Sequence, residues 1–216
     1  MTANASKQSR RPSGTAGASA RAQVERRRKP AGFMAVLRGD PQTTRAWDRG
    51  ARGEERVGRR LDTLADRGVI VLHDRQIPGT RANLDHIAIA PTGVWIIDTK
   101  NYRGKVERRA VGRWRRREPR LFVAGRDRTV LIDSAIRQAE YVSRAICDPT
   151  MAVIPVLCFT GSEWSFLAEP FQIRGVTVCW PRVLARTLQH QGSVSTIQRE
   201  ALADRLAERL PSATSG

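Results

Sequence analysis

Two aspartates and a lysine, Asp85, Asp98 and Lys100, stand at the outer ends of two apolar runs, Leu84 to Ala90 and Val94 to Thr99. Pro91-Thr92-Gly93 separates the runs and is a turn signal, so the pattern predicts an antiparallel hairpin. With Ala90-Pro91-Thr92-Gly93 as a four-residue turn carrying Pro second, paired residues share one numerical sum. Ile87 then faces Ile96, and Asp85 faces Asp98. Such cross-strand neighbours have Cβ atoms about 5 Å apart, and like charges so placed weaken a sheet unless a cation or a proton lies between them. A divalent ion resolves the conflict. Carboxylate oxygens suit Mg²⁺ or Mn²⁺, which keep several waters and accept phosphate oxygens as further ligands. The chemistry this set supports is phosphodiester hydrolysis. The metal acidifies an attacking water, while Lys100, on the face of Asp98, orients that water or stabilises the transition-state charge. A second register stays open, because Gly93 in a left-handed conformation would form a bulge and shift the pairing by one.

Taken singly, each residue has a plainer reading. An Asp at a strand end is more often a turn or cap than a ligand, and a lone Asp-x-Lys means less still. His86 alternates to the opposite sheet face from Asp85, which makes it a structural histidine rather than a ligand. The combination carries the signal, and it requires elements to hold it.

Upstream, Val57, Gly58, Leu61, Leu64 and Ala65 recur at steps of three and four between Gly50 and Arg67, the period of an amphipathic helix. Glu54 lies on that stripe, whereas Glu55, Arg59, Asp62 and Asp66 follow the wet face. An inward carboxylate needs a partner, and from a helix covering the sheet Glu54 could complete the metal shell. Val69 to Leu72 adds a strand before the hairpin, giving a three-stranded meander. Leu131 to Ile146 is a helix, and Ala152 to Phe159 is an apolar run fit for a buried strand. Val176 to Trp180 reads as another strand, with helices from Pro181 to Gln189 and Val194 to Leu210. The expected class is therefore α/β.

Residues 103 to 128 are densely basic, with Arg103, Lys105, Arg108-Arg109 and Arg113-Trp114-Arg115-Arg116-Arg117, and Leu121 to Val123 within them offers a short surface strand. The 216 residues carry 38 Lys plus Arg against 21 Asp plus Glu, a net charge of +17. Arg dominates the excess, and its bidentate fork favours phosphate, so nucleic acid is the expected partner ahead of anionic lipid. Residues 1–45, rich in Ser, Ala, Gly, Arg and Pro, are expected to be a disordered basic arm, with the run Arg26-Arg27-Arg28-Lys29 either a tether to nucleic acid or part of a solubilising tail. Residues 46–210 make up the folded domain, and 211–216 a disordered tail. Cys147, Cys158 and Cys179 are an odd set without Cys-x-x-Cys spacing, which argues against a disulfide framework or zinc ribbon. No apolar run reaches membrane-spanning length, and the N-terminus lacks the apolar core of a signal peptide. A soluble protein of the cytoplasm is expected.

Taken in order, Gly50-Ala51-Arg52-Gly53-Glu54, Asn83-Leu84-Asp85-His86-Ile87 and Gly93-Val94-Trp95-Ile96-Ile97-Asp98-Thr99-Lys100-Asn101-Tyr102-Arg103-Gly104 resemble the successive motifs of the nuclease-related domain (NERD) family. The resemblance spans residues 47–146. It implies a restriction-endonuclease-like core of the PD-(D/E)XK superfamily: a mixed central sheet flanked by helices in the order helix, three-stranded meander, helix, strand. Here an extra C-terminal strand and helices follow. The resemblance also implies roles. Glu54 is the helix carboxylate, Asp85 the first metal ligand, Asp98 the acidic position of the signature, Lys100 its lysine, and Gln138 a glutamine supporting the site. The arginine-rich 103–128 insertion departs from the family pattern.

The expected activity is metal-dependent hydrolysis of DNA, preferred over RNA, with the basic arm and Arg113 to Arg117 gripping phosphates and Trp114 either stacking on an unpaired base or buried under its own loop. Two alternatives stay open. One is a catalytically silent nucleic-acid-binding module on a nuclease fold; the other is a basic protein that binds RNA or an anionic membrane, with the acidic pair capping the hairpin.

Overall fold

A computed structural model describes residues 41–80, 82–113, 117–165 and 168–213. The expected arm up to residue 40, the Trp114, Arg115 and Arg116 positions and the last three residues of the tail lie outside the described residues.

The chain opens with helix α1 (Pro41–Asp62), and a short 3₁₀ turn (Ala65–Arg67) closes on left-handed Gly68. Strands β1 (Ile70–Gln76), β2 (Asn83–Ala90) and β3 (Gly93–Lys100) form the antiparallel meander. A second sheet of β4 (Val106–Val111), β5 (Glu118–Val123) and β6 (Arg126–Asp127) follows. Helix α2 (Val130–Ile146) leads to β7 (Val153–Phe159), β8 (Phe171–Ile173) and β9 (Val176–Cys179). Helices α3 (Pro181–Thr187) and α4 (Thr196–Arg209) complete the order.

The main sheet runs β1-β2-β3-β7-β9-β8, with β3, β7 and β9 parallel and the other pairs antiparallel. This is an α/β fold with a mixed six-stranded sheet between helices. Alternation along β3 explains the layering. Trp95 and Ile97 join Ala88, Ala90, Val57, Leu61 and Leu184 in a core beneath α1 and α3. Val94 and Ile96 join Ile87, Ile89, Val142 and Leu206 beneath α2 and α4. A third core under the small sheet gathers Val106, Leu121, Val123, Ile132 and Phe159. Pro155 sits within β7 at the level of Ile96, where no partner from β9 requires its missing N–H, since the β7–β9 ladder begins at Val156.

The hairpin keeps the register that its turn predicts: Ile87 pairs with Ile96 and Ala90 with Gly93. Gly93 adopts φ +131°, and a Cβ there would stand 2.6 Å from the Ala152 carbonyl oxygen.

Several boundaries differ from expectation. β1 runs four residues beyond Leu72, because His73 pairs with His86 and buries a polar stretch that reads as loop. The 103–128 insertion forms a three-stranded antiparallel sheet rather than one short strand, since Val106, Leu121 and Val123 give it an apolar underside. Strand β8 alternates over only three residues, too short a run to read as a strand from sequence, and is held by pairing to β9. Helix α1 begins at Pro41, inside the segment assigned to the arm, and Pro suits a first helical turn. The expected tail does not leave the domain at residue 211. Ser212 bridges to Arg75 and the Ala213 N–H donates to the Asp74 carbonyl, covering backbone groups that an edge strand leaves open.

Candidate active site

Antiparallel pairing brings the start of β2 to the end of β3, and parallel pairing brings the end of β7 to the same edge. The β2–β3 ladder ends at the His86–Ile97 pair. One step beyond it the strands part, and the Asp85 Oδ2 atom accepts the Thr99 backbone N–H at 2.7 Å. Asp98 is buried at 4 % exposure, and Lys100 Nζ donates to its Oδ1 at 2.5 Å. Asp85, Asp98 and Lys100 thus form one cluster, with Lys100 only 24 % exposed.

The electrostatics of the cluster follow from burial. Desolvation pushes the Asp85 carboxyl up to about 7, and repulsion from Asp98 adds to it, against the pull of Lys100 and the Thr99 N–H. Burial lowers the Lys100 ammonium, but the carboxylates of Asp98 and Asp85 outweigh it and hold the group above its ordinary value. The site therefore has one more carboxylate than its lysine neutralises.

A third aspartate adds to the pressure on Asp85. The β1–β2 pairing that joins His73 to His86 and Arg75 to Leu84 sets Asp74 level with Asp85. Asp74 is fully buried in a left-handed conformation, φ 50°, and accepts a hydrogen bond from Asn83 Nδ2 at 3.1 Å. Its charge raises the Asp85 carboxyl further. The sequence pattern gives no sign of this, because only β1 pairing brings residue 74 alongside.

Glu54 is buried at 7 % on the sheet-facing side of α1. The helix crosses the strand ends closely at Gly53, where a Cβ would lie 2.8 Å from Asn101 Cβ and 2.9 Å from Thr160 Oγ1. Glu54 thus reaches the strand ends from the Ala88–Ile97 face, where its backbone meets His86, opposite the face that alternation gives Asp85, Asp98 and Lys100. Two buried hydroxyls at this edge, Thr99 Oγ1 and Thr160 Oγ1, make no hydrogen bond among the described residues.

His86 takes the opposite face from Asp85, as alternation requires. It is buried, its Nδ1 lies 2.8 Å from His73 Nδ1, and His73 Nε2 lies 2.8 Å from Asp62 Oδ1. Burial, followed by the charge of His73, pushes the His86 imidazole well below its usual range. The Glu54 backbone also reaches the ring, although Nε2 makes no full hydrogen bond. The imidazole pair thus ties two turns of α1 to β1 and β2.

The remaining expected residues are dispersed. Gln138 is half-buried on α2 between Ala135 and Val142, with no hydrogen bond to the cluster among the described residues. Arg103, Lys105, Arg113 and Arg117 are exposed, and Lys105 pairs with Glu107 at 2.9 Å. Among the described residues no three His, Cys, Asp or Glu side chains converge as a metal cage. Asp85 and Asp98 alone match an ion that takes one or two carboxylates and keeps its waters.

No solved structure matches the chain. An uncharacterised protein of Bacillus anthracis is 41 % identical over 59 residues, 26 % of this chain and 28 % of that protein. The chain therefore aligns with little more than a quarter of that relative's length. The family model for the nuclease-related domain matches residues 49–160, half of the chain, and includes Glu54, the Asp85–His86 strand and the Asp98–Lys100 strand end. With that match over this sheet and this carboxylate–lysine cluster, the chain belongs to the nuclease-related domain family.

Proposed function

We propose that the protein is a nuclease that hydrolyses phosphodiester bonds of nucleic acid, DNA in preference to RNA, with Mg²⁺ or Mn²⁺ as cofactor. The observation that carries this reading is the Asp85–Asp98–Lys100 cluster. A carboxylate pair, Asp98 buried and Asp85 half-buried, with one carboxyl raised to about 7, is a site whose charge a divalent cation balances. Asp85 and Asp98 would hold the ion, with Glu54 as the further carboxylate. When bound, the metal supplies Lewis-acid stabilisation of the phosphate and a water of lowered pKa. Lys100, held by Asp98, sets a fixed positive charge beside the phosphate, and its low exposure preserves the strength of that charge. Arg103, Arg113 and Arg117, exposed along the segment that leaves the site, supply backbone contacts. Gln138 supports the site from α2. Three free cysteines accord with a reducing compartment, the cytoplasm.

Cleavage of supercoiled plasmid and of single-stranded DNA with Mg²⁺ or Mn²⁺ tests the reading. Asp98→Ala and Lys100→Ala are expected to lose about a hundredfold or more in rate, and chelation is expected to abolish cutting. Equal cutting by wild type and variants overturns it. One observation favours a second reading, a binding module without turnover: Lys100 already neutralises Asp98, and no three-ligand cage is assembled among the described residues. Metal-independent binding with no cutting under any condition selects that reading.

A further inference from the structure

The parallel strands β3, β7 and β9 all end at the edge that carries the cluster, and two half-buried indoles stand on that edge. Lys100 pairs with Phe159, and Cys158 pairs with Cys179. Continuing the second ladder by one residue sets Trp180 level with Phe159 and Lys100, two strand spacings or about 10 Å from the lysine. Trp164 meets Trp180 with ring centroids 4.7 Å apart and planes at 46°, and meets Phe171 at 6.3 Å.

The backbone fixes Trp164 relative to the site. Thr160 N–H donates to the Lys100 carbonyl at 3.0 Å, Ser162 Oγ to the Tyr102 carbonyl at 2.8 Å, and Glu163 N–H to the Gly104 carbonyl at 3.0 Å. Residues 160–163 are thus zipped to the segment that leaves β3, and Trp164 is the next residue. Each ring rests on a core at its base, Trp164 on the Ile173 and Val178 cluster and Trp180 on the Val183 and Leu184 cluster, and both remain half-exposed. The Trp164 indole N–H is buried with no partner among the described residues, a cost that a phenyl ring in its place would not carry. Arg182 follows Trp180 by two residues and Arg103 lies in the segment zipped to residues 160–163; both are exposed and make no ion pair among the described residues, and the exposed Glu163 and Glu169 share the same stretch of chain.

We propose, on the basis of the nuclease reading above, that Trp164 and Trp180 form a stacking platform for unpaired bases, so that the substrate passing Asp85, Asp98 and Lys100 is single-stranded nucleic acid. Every base presents an aromatic face, so such a platform selects for unpaired strands without selecting sequence, while the neighbouring arginines hold the phosphates. A duplex hides those faces and gains only the phosphate contacts.

The test measures binding by anisotropy of a labelled oligothymidylate and of an abasic strand of equal length, in EDTA so that nothing is cut. Wild type is expected to favour the strand with bases by about fivefold or more. Trp164→Leu and Trp180→Leu are expected to bring that ratio close to one while leaving abasic binding unchanged, and Trp164→Phe, which keeps a ring in the core, to retain an intermediate ratio. Equal affinity of wild type for the two strands overturns the proposal, as does an unchanged ratio in the folded Trp164→Phe and Trp180→Leu proteins. Because no metal is present, the result is independent of turnover. A base-dependent ratio without cleavage leaves the platform standing and removes the nuclease reading, and cleavage without the ratio does the reverse.

Discussion

Asp85 is where the electrostatics of the candidate site converge. Its carboxyl, raised to about 7 by burial and by Asp98, holds a proton in the folded protein over a pH range in which the unfolded chain has released it. The folded state therefore binds more protons than the unfolded state between about pH 4 and 7, and stability falls as pH rises through that window. A displacement of this size corresponds to at most about 4 kcal/mol, and partial exposure of Asp85 makes the realised value smaller. Asp85→Asn removes the titrating group. Urea unfolding from pH 4.5 to 8 should show wild type losing stability relative to the variant, and parallel curves would contradict this account. Asp85, Asp98 and Lys100 were legible because strand alternation and a two-Ile pairing fix their relation. Asp74 was not, since its left-handed backbone and its β1 partner are invisible in a local pattern.

At the scale of elements, the site depends on how closely helices and turns approach the sheet. The segment before α4 crosses the hairpin turn, with Val194 N–H donating to the Pro91 carbonyl at 2.9 Å. A Cβ on Gly192 would meet that same Pro91 oxygen at 2.1 Å and Thr92 N at 2.7 Å. These are backbone atoms with no rotamer to yield, so Gly192→Ala should destabilise by about 1–3 kcal/mol. Gly50, inside α1, has nothing within 4 Å of the corresponding position, and Gly50→Ala should stabilise by about 0.5–1 kcal/mol through helix propensity. Thermal unfolding of the two variants should shift in opposite directions; shifts of the same sign would refute the packing argument. The helix positions themselves were legible from periodicity, including the inward aim of Glu54. The β4–β6 sheet was obscured because exposed arginines alternate with its few apolar residues, so its strands resemble a charged loop until Leu121 and Val123 are seen packed beneath.

For the whole molecule, a net charge of +17 acts on polyanions through counterion release, so affinity for nucleic acid should fall linearly on a log–log plot against salt. Arg113 and Arg117 flank the β4–β5 turn and are exposed. Replacing both with Gln should lower the slope by about two, one per phosphate contact, with the cleavage rate of the bound complex unchanged. An unaltered slope would place the phosphate track elsewhere. Some of the surface charge is already engaged internally, as in Arg120 with Asp127, Arg109 with Glu107 and Arg174 with Asp133. The total of 38 basic residues therefore overstates the number open to a partner, whereas the net charge of +17 already discounts such pairs.

By itself the sequence determined the α/β class and the presence of the hairpin, and it offered two registers of which the structure selected the one that gathers Asp85, Asp98 and Lys100, because period-two and period-3.6 patterns and a Pro–Gly turn are local constraints on backbone geometry. Tertiary structure alone decided that Asp74 presses on Asp85, that two histidines tie α1 to the sheet, that Ser212 and Ala213 close the edge of β1, and that Trp164 and Trp180 meet beside the cluster. Those contacts join residues far apart in the chain. They are set by which strands lie side by side, and strand order follows from how the whole core closes rather than from any local run of residues.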